Sequence, residues 1–323
     1  MSKLAPVAES HLTPGNGRQS RINEALYQRW RDYKLERYAQ HVEDLAVEIR
    51  DPCALTRAER EALVERCRSA NMAIYDCGRR RVSKEMIATL GAQLGLHKLD
   101  PNPGADADRI TSLQVGDRRR GDEYIPYTNR SLNWHTDGYY NSPSRQVRAF
   151  LMHCVRPAAR GGANAFLDTD IAYLLMRDRN PAYVDALSHP WALTIPPNTR
   201  GGVEIRPART GPVFSVDDDN TCLHMRYTAR RQNAHWREDA VTRAATGFLE
   251  LLLNTGSEYV LEHRLEAGQG VICNNVLHRR TTFQDDREPG HGRLLYRARY
   301  HDRIRDTNCT TGAVMWSGGH ALA

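Results

Sequence analysis

What this chain lacks narrows its class before any motif is read. None of its seven cysteines belongs to a CxxC pair, and the odd number leaves at least one thiol unpaired under any disulfide scheme. Buried thiols, rather than a disulfide framework, are therefore expected. Long hydrophobic runs are missing: the longest, Ala149 to Val155 and Phe248 to Leu253, fall far short of the ~18 apolar residues of a membrane span. The opening Met1 to Gly17 has no apolar h-region of the kind a secretory signal needs, so a soluble, cytoplasmic protein is expected. No internal repeat, low-complexity tract, Gly-x-Ser-x-Gly elbow or GxxxxGK(S/T) phosphate loop occurs. Aromatic residues are few, at 7%, yet 40% apolar content over 323 residues is too much for a disordered chain. The net charge is only +6, from 45 basic against 39 acidic residues, and no stretch interleaves basic with aromatic side chains as a stacking platform for nucleic acid does. At roughly 150 residues per domain, length allows two domains or one decorated domain.

The apolar pattern divides the chain. Residues 1–20, with Pro6, Pro14, Gly15 and Gly17 among polar residues, read as a mobile tail. Leu26, Trp30 and Tyr33, then Tyr38, Val42, Leu45 and Ile49, recur at three- and four-residue steps and predict an amphipathic helix with a break near Leu35. Thr56 and Glu59 form a capping box for a helix to Ala70, a strand follows at Met72 to Tyr75, and Ser83 caps a third helix that stops at Gly95. From about residue 110 short apolar runs between turn residues take over, as in Val147–Val155, Ala165–Leu167, Val213–Val216 and Val271–Cys273. Helical insertions interrupt them near 170–188 and 239–254. About eight short strands behind a helical layer suggest a jelly-roll sandwich with helices packed outside it.

Three elements carry chemistry. In Trp134-His135-Thr136-Asp137-Gly138 the side chains two apart share a face of an extended chain, so His135 and Asp137 can converge on one ion. Far downstream, a Gly-flanked apolar strand from Gly268 ends in His278. Two histidines and one carboxylate on one face of an octahedron leave three positions open, which suits ferrous iron that must also bind a cosubstrate and oxygen. The third element is Arg293-Leu294-Leu295-Tyr296-Arg297, whose two arginines fall on one strand face and match carboxylates in bidentate fashion. A solvated basic strand is the competing reading, because Arg287, Arg299, Arg303 and Arg305 crowd around it. His153, His224, His263, His291 and His301 lack metal spacing and read as core or surface residues.

The order HxD, distal His, then Arg resembles the iron(II)/2-oxoglutarate dioxygenases of the taurine dioxygenase (TauD/TfdA) family, including its clavaminate-synthase-like branch. The resemblance spans roughly residues 70–302. It includes Met72–Gly95, Arg160-Gly161-Gly162-Ala163-Asn164, Gly211-Pro212-Val213 and Asn275-Val276-Leu277-His278-Arg279-Arg280. It implies that His135, Asp137 and His278 bind iron, and that Arg293 clamps the distal carboxylate of 2-oxoglutarate. It also places Arg297 near the cosubstrate or the substrate. Asn164 stands where the family has a hydroxyl residue supporting the clamp, and an amide donates the same hydrogen bond. Asp137 itself argues against halogenation, since halogenating relatives have Gly or Ala there.

The expected fold is thus α+β with a mainly β core: a double-stranded β-helix (jelly roll) in a single oxygenase domain over 21–323. Within it, 21–100 form the helical layer, 101–302 the core and 303–323 a C-terminal tail. The expected cofactors are Fe(II), 2-oxoglutarate and O2, used for hydroxylation, with desaturation or cyclisation also open to the same ligands. The expected substrate is a small anion such as an amino acid or carboxylate, because Arg297 would otherwise be a buried charge without a partner. Arg226 and Tyr227 are further candidates to face it, though an exposed Arg226 beside a core Tyr227 is the simpler arrangement. A homo-oligomer is compatible with the sequence. Two rival readings are a zinc hydrolase built on the same His2Asp set and a nucleic-acid-directed oxygenase or binding module.

Overall fold

The computed structural model describes residues 24–307 except 79, 102–104, 116–123, 217–221, 231, 233 and 287–290. The expected N-terminal tail and Arg287 lie outside the described residues, as does the C-terminal tail beyond 307.

Two sheets organise the fold. The larger runs in the order Ala46–Glu48, Met72–Asp76, Gln269–Cys273, Ala149–Arg156, Leu294–Tyr300, Thr111–Leu113, with only its first pair parallel. The smaller runs Leu261–His263, Asn164–Leu167, Leu277–Arg280, Leu132–His135 and is antiparallel throughout. The larger sheet is buried on both faces. Phe150, Met152, Val271, Cys273 and Leu295 join the central core with Phe166 and Leu277 of the smaller sheet. Their strand neighbours Ala149, Leu151, Ile272, Ala298 and Tyr300 instead join a second core with the helices Arg57–Ala70 and Lys84–Gln93. This alternation is the two-residue period of a strand written into two layers. The rings of Phe150 and His278 lie 4.7 Å apart and mark where the sheets meet.

Local signals explain the helices. Thr56 Oγ1 accepts from the Glu59 amide at 3.2 Å, and the Glu59 carboxylate accepts from the Thr56 amide at 2.7 Å, closing the capping box ahead of Arg57–Ala70. Asp239 caps Ala240–Asn254 by accepting from the Thr242 amide at 2.9 Å. With Thr169–Arg179 and Pro181–Leu187, this helix forms a packed group whose apolar residues join the central core.

Two expectations need correction. The first helix ends at Arg37, and Val42, Leu45 and Ile49 do not extend it: Val42–Leu45 is a 3-10 turn, and Ala46–Glu48 pairs in parallel with Met72–Asp76. Val47 and Ile49 are buried while Ala46 and Glu48 are exposed, so the two-residue period prevails over the helical spacing. Residues 303–307 are packed rather than a tail. Ile304 and Thr307 are buried, the Ile304 amide donates to Asn274 Oδ1 at 3.1 Å, and Asn274 Nδ2 donates to Thr307 Oγ1 at 3.0 Å.

Candidate active site

His135 ends one strand of the smaller sheet, and His278 stands directly opposite it on the neighbouring strand. Cross-strand partners share a face, so the two rings meet at 4.2 Å between centroids. The chain then turns at Gly138, at φ +67°, where a Cβ would sit 2.5 Å from Val147 Cγ2. Asp137, just ahead of Gly138, lies beside the histidines, and ligand atoms of all three residues lie within 4.8 Å of one another. Asn275, at φ +54°, locks the turn to the strand of His278. Its Oδ1 accepts from the Asp137 amide at 2.8 Å, and its Nδ2 donates to the carbonyls of Asp137 at 3.0 Å and Val147 at 2.6 Å.

The hydrogen bonds leave the right atoms free. Nδ1 of His135 lies 2.9 Å from the Asn133 carbonyl, and Nδ1 of His278 lies 2.9 Å from the Val276 carbonyl. Each contact requires an N–H on Nδ1 and so leaves Nε2 as a lone-pair donor. Burial, then the charge of the neighbouring His278, pulls the pKa of His135 down to about 3, and burial likewise lowers that of His278. Both rings are therefore neutral ligands at ordinary pH. Burial alone would raise the Asp137 carboxyl, but Arg297 and Arg299, with the two histidines, outweigh it and hold Asp137 well below the usual carboxylate range. Its Oδ1 accepts from Arg297 Nη1 at 3.2 Å and lies 3.8 Å from Arg299 Nη1, while its Oδ2 is buried without a hydrogen-bond partner among the described residues. Two aligned imidazole lone pairs and an unpartnered carboxylate oxygen form a donor set for a divalent metal with open positions.

Positive charge surrounds that set. Arg293, Arg297 and Arg299 alternate along one strand face and all are buried, so the strand is not a solvated one. Arg293 packs its guanidinium over Phe283 at 4.9 Å and makes no side-chain hydrogen bond to a described residue. Burial lowers its pKa to about 10. With Asn164, Gly162 and Leu295 it lines a small recess beside the smaller sheet. Arg280 lies close enough that Arg293 and Arg297 add to burial in lowering its pKa to about 9. It donates to the carbonyls of Thr128 at 2.8 Å and Arg130 at 2.5 Å.

The remaining sequence candidates differ in place: Tyr227 adjoins the metal ligands through its backbone, where its carbonyl accepts from the Thr136 amide at 3.0 Å and its amide donates to Thr136 Oγ1 at 3.1 Å. Arg226 is buried, not exposed, and its guanidinium donates to the carbonyls of Pro212, Arg209, Leu193 and Gly211. Tyr227 is buried with its ring 6.2 Å from that of Trp236. Of the other histidines, His153 stacks on Tyr75 at 5.8 Å, His263 contacts Gln269 and His301 contacts the Gln146 carbonyl. Among the described residues only His135, Asp137 and His278 cluster as metal ligands.

The profile of the family described as Taurine catabolism dioxygenase TauD, TfdA family matches residues 37–299. The chain belongs to the TauD/TfdA family of dioxygenases. It is 32% identical over 185 residues to a uridine-5'-phosphate dioxygenase from Amycolatopsis sp, a match covering 54% of this chain and 62% of that protein. This chain thus spans less than two thirds of that relative. A uridine-5'-phosphate dioxygenase from Streptomyces sp is 28% identical over 202 residues, covering 60% of this chain and 70% of the relative. Among solved structures, the non-heme iron oxygenase OrfP in complex with Fe and alpha-ketoglutaric acid superimposes with a TM-score of 0.57 at 17% identity, covering 87% of this chain and 92% of OrfP. Asparagine oxygenase in complex with Fe(II), 2S,3S-3-hydroxyasparagine and succinate gives a TM-score of 0.50 at 16% identity, covering 86% and 92% of the two chains. Membership of the TauD/TfdA family sets the hydrolase reading aside. Among the described residues, no helix is long and apolar enough to cross a membrane.

Sequence reading missed several residues of this TauD/TfdA site. Arg299 falls on the face of Arg297 one step further along the strand, in a stretch so crowded with arginines that spacing does not single it out. Its guanidinium pairs with Asp100 and donates to the Tyr140 hydroxyl at 3.1 Å. No local pattern marks Asn275, whose left-handed backbone and three bonds exist only in the folded turn.

Proposed function

We propose that this chain is a cytoplasmic iron(II)/2-oxoglutarate-dependent hydroxylase of a small anionic substrate. Its two facing sheets are the halves of a double-stranded β-helix within one oxygenase domain. The observation that carries the metal assignment is the unpartnered, buried Oδ2 of Asp137 beside two Nε2 lone pairs. When bound there, ferrous iron with 2-oxoglutarate and O2 supplies oxidative decarboxylation to succinate and CO2 coupled to hydroxylation of a substrate C–H bond.

The protein's own contribution is placement. Asn133 and Val276 fix the tautomers of the histidines, and Asn275 fixes the turn bearing Asp137. Arg297 occupies Oδ1, so that Asp137 presents a single oxygen to the metal. Arg293 holds the distal carboxylate of 2-oxoglutarate from the recess it shares with Asn164, in a basin to which the buried Arg280 adds positive charge. Arg297 needs no second anion, since Asp137 neutralises it. The anionic character of the substrate rests instead on the two relatives named as uridine-5'-phosphate dioxygenases. A net charge of only +6 leaves little reason for a nucleic-acid partner.

Anaerobic iron titration followed by oxygen-dependent succinate release tests this reading, with uridine 5'-monophosphate and a panel of amino acids as substrates. Wild type should bind stoichiometric iron and release succinate coupled to a hydroxylated product. His278→Ala should lose both iron and turnover. Full iron binding and turnover in His278→Ala would overturn the assignment.

A further inference from the structure

Two arginines, Arg206 and Arg209, have no ion-pair partner among the described residues. The hairpin of Asn198–Arg200 and Val203–Arg206 lays the Arg206 guanidinium over the ring of Tyr140, 5.5 Å from its centroid. The Tyr140 ring lies 5.1 Å from that of Tyr139, which stands 6.5 Å from the ring of His135. Arg206 is half-buried and, among the described residues, donates only to the carbonyls of Pro207 at 2.9 Å and Pro196 at 2.8 Å. It forms no ion pair with a described residue, and Glu204 of the same hairpin is exposed. Burial lowers the pKa of Arg206, and the neighbouring charge of Arg209 lowers it further against the opposing influence of Tyr139, Tyr140 and Glu204. Arg209 opens the strand Arg209–Gly211, and its Nε is buried with no hydrogen-bond partner among the described residues. Two guanidiniums that repel each other, partly stripped of water and without a carboxylate partner among the described residues, gain most from a bound anion.

We propose that Arg206 and Arg209 form the subsite for a phosphate group on the substrate, at the mouth of the metal centre, with Tyr139 and Tyr140 flanking the remainder of the molecule. Two guanidinium forks complement a dianionic phosphate monoester better than a single carboxylate. Arg297 and Arg299 are already occupied by Asp137 and Asp100. The proposal rests on the hydroxylase reading above for what is done to the substrate, though not for the binding of phosphate itself.

Titration calorimetry of the full-length protein with inorganic phosphate, then with uridine 5'-monophosphate and neutral uridine, tests it. Arg206→Gln and Arg209→Gln should each weaken phosphate binding at least tenfold and leave 2-oxoglutarate affinity and Tm unchanged. Each should also erase the preference for the nucleotide over uridine. Arg209→Gln guards against a folding defect, because the Arg209 guanidinium makes no hydrogen bond to a described residue. Wild type indifferent to millimolar phosphate, variants that bind it as well as wild type, or a parallel loss of 2-oxoglutarate affinity would each overturn the subsite. Phosphate bound through these arginines without any coupled turnover refutes the hydroxylase reading and not the subsite. Coupled turnover indifferent to both substitutions refutes the subsite alone.

Discussion

Each titratable side chain at this site owes its state to a few neighbours. Arg293 is desolvated and lacks a side-chain partner among the described residues, so its full charge is available to a dicarboxylate. A charge-assisted pair contributes roughly 1.5–3 kcal/mol. Arg293→Ala should therefore raise the KM for 2-oxoglutarate by about one to two decades while iron binding persists. Steady-state kinetics beside an anaerobic iron titration separates the two effects, and an unchanged KM would move the clamp elsewhere. His153 makes a different prediction. Burial against Tyr75 lowers its pKa to about 4, well below the ~6.5 of an exposed histidine. The unfolded chain thus takes up a proton at pH values where the folded one does not. Stability is complete above ~6.5 and is lost as pH falls toward the folded value, by up to about 3 kcal/mol. Urea melts at pH 7 and pH 4.5 should show a smaller acid-induced loss for His153→Phe than for wild type. Equal losses would mean that the ring is not held neutral.

Among the elements, the antiparallel pair Leu132–His135 and Leu277–Arg280 does most to create the site, because its register sets His135 opposite His278. A slip by one residue would send one ring to the opposite face of the sheet. Asn275 ties this pair to the turn that carries Asp137. Asn275→Ala would leave the Asp137 amide and two carbonyls unsatisfied and would put a Cβ without local hydrogen bonds into a left-handed backbone. A loss of about 3 kcal/mol in unfolding free energy is expected, together with weaker metal binding. Denaturant titration with and without Co(II) reads both. If stability falls but Co(II) affinity holds, Asn275 supports the fold and not the metal.

The whole molecule is tied together by a buried polar cluster centred on Lys34 and Asn71. Lys34 is fully buried on the first helix, with Nζ 2.5 Å from Asp168 Oδ2 and 3.2 Å from Asp170 Oδ2. Asn71 donates to both carboxylates, and its own Oδ1 accepts from Asn274 at 3.1 Å and from Arg303 at 2.7 Å. The network thus links the first helix, the helix Thr169–Arg179, the loop ahead of His278 and the segment 303–307. Removing one partner of a buried ion pair leaves an uncompensated charge and typically costs about 3–5 kcal/mol. Lys34→Met should lower Tm strongly, and adding Asp168→Asn should restore part of the loss. A Lys34→Met protein as stable as wild type would show that the cluster is not a structural tie.

Some of this was legible in the sequence because it depends on near neighbours along the chain. The Thr56 capping box, the stop at Gly95 and the shared face of Arg293 and Arg297 are geometric consequences of spacings of two to four residues. The His135–Asp137 pair was legible in spacing, but the tie of Asp137 to Asn275 across 138 residues was not. Where two periods compete, as at Val42 to Ile49, spacing alone misled, and pairing with Met72–Asp76 decided for a strand. The partners of the charges were not legible at all. Arg297 meets Asp137 across 160 residues, Arg226 is enclosed by four main-chain carbonyls, and Arg206 comes to rest on Tyr140. The sequence by itself therefore determined which side chains carry the chemistry and which local elements hold them. Only the tertiary structure decided which charge faces which, because a guanidinium takes its partner from whatever long-range packing brings within about 3 Å, and no local period encodes that distance.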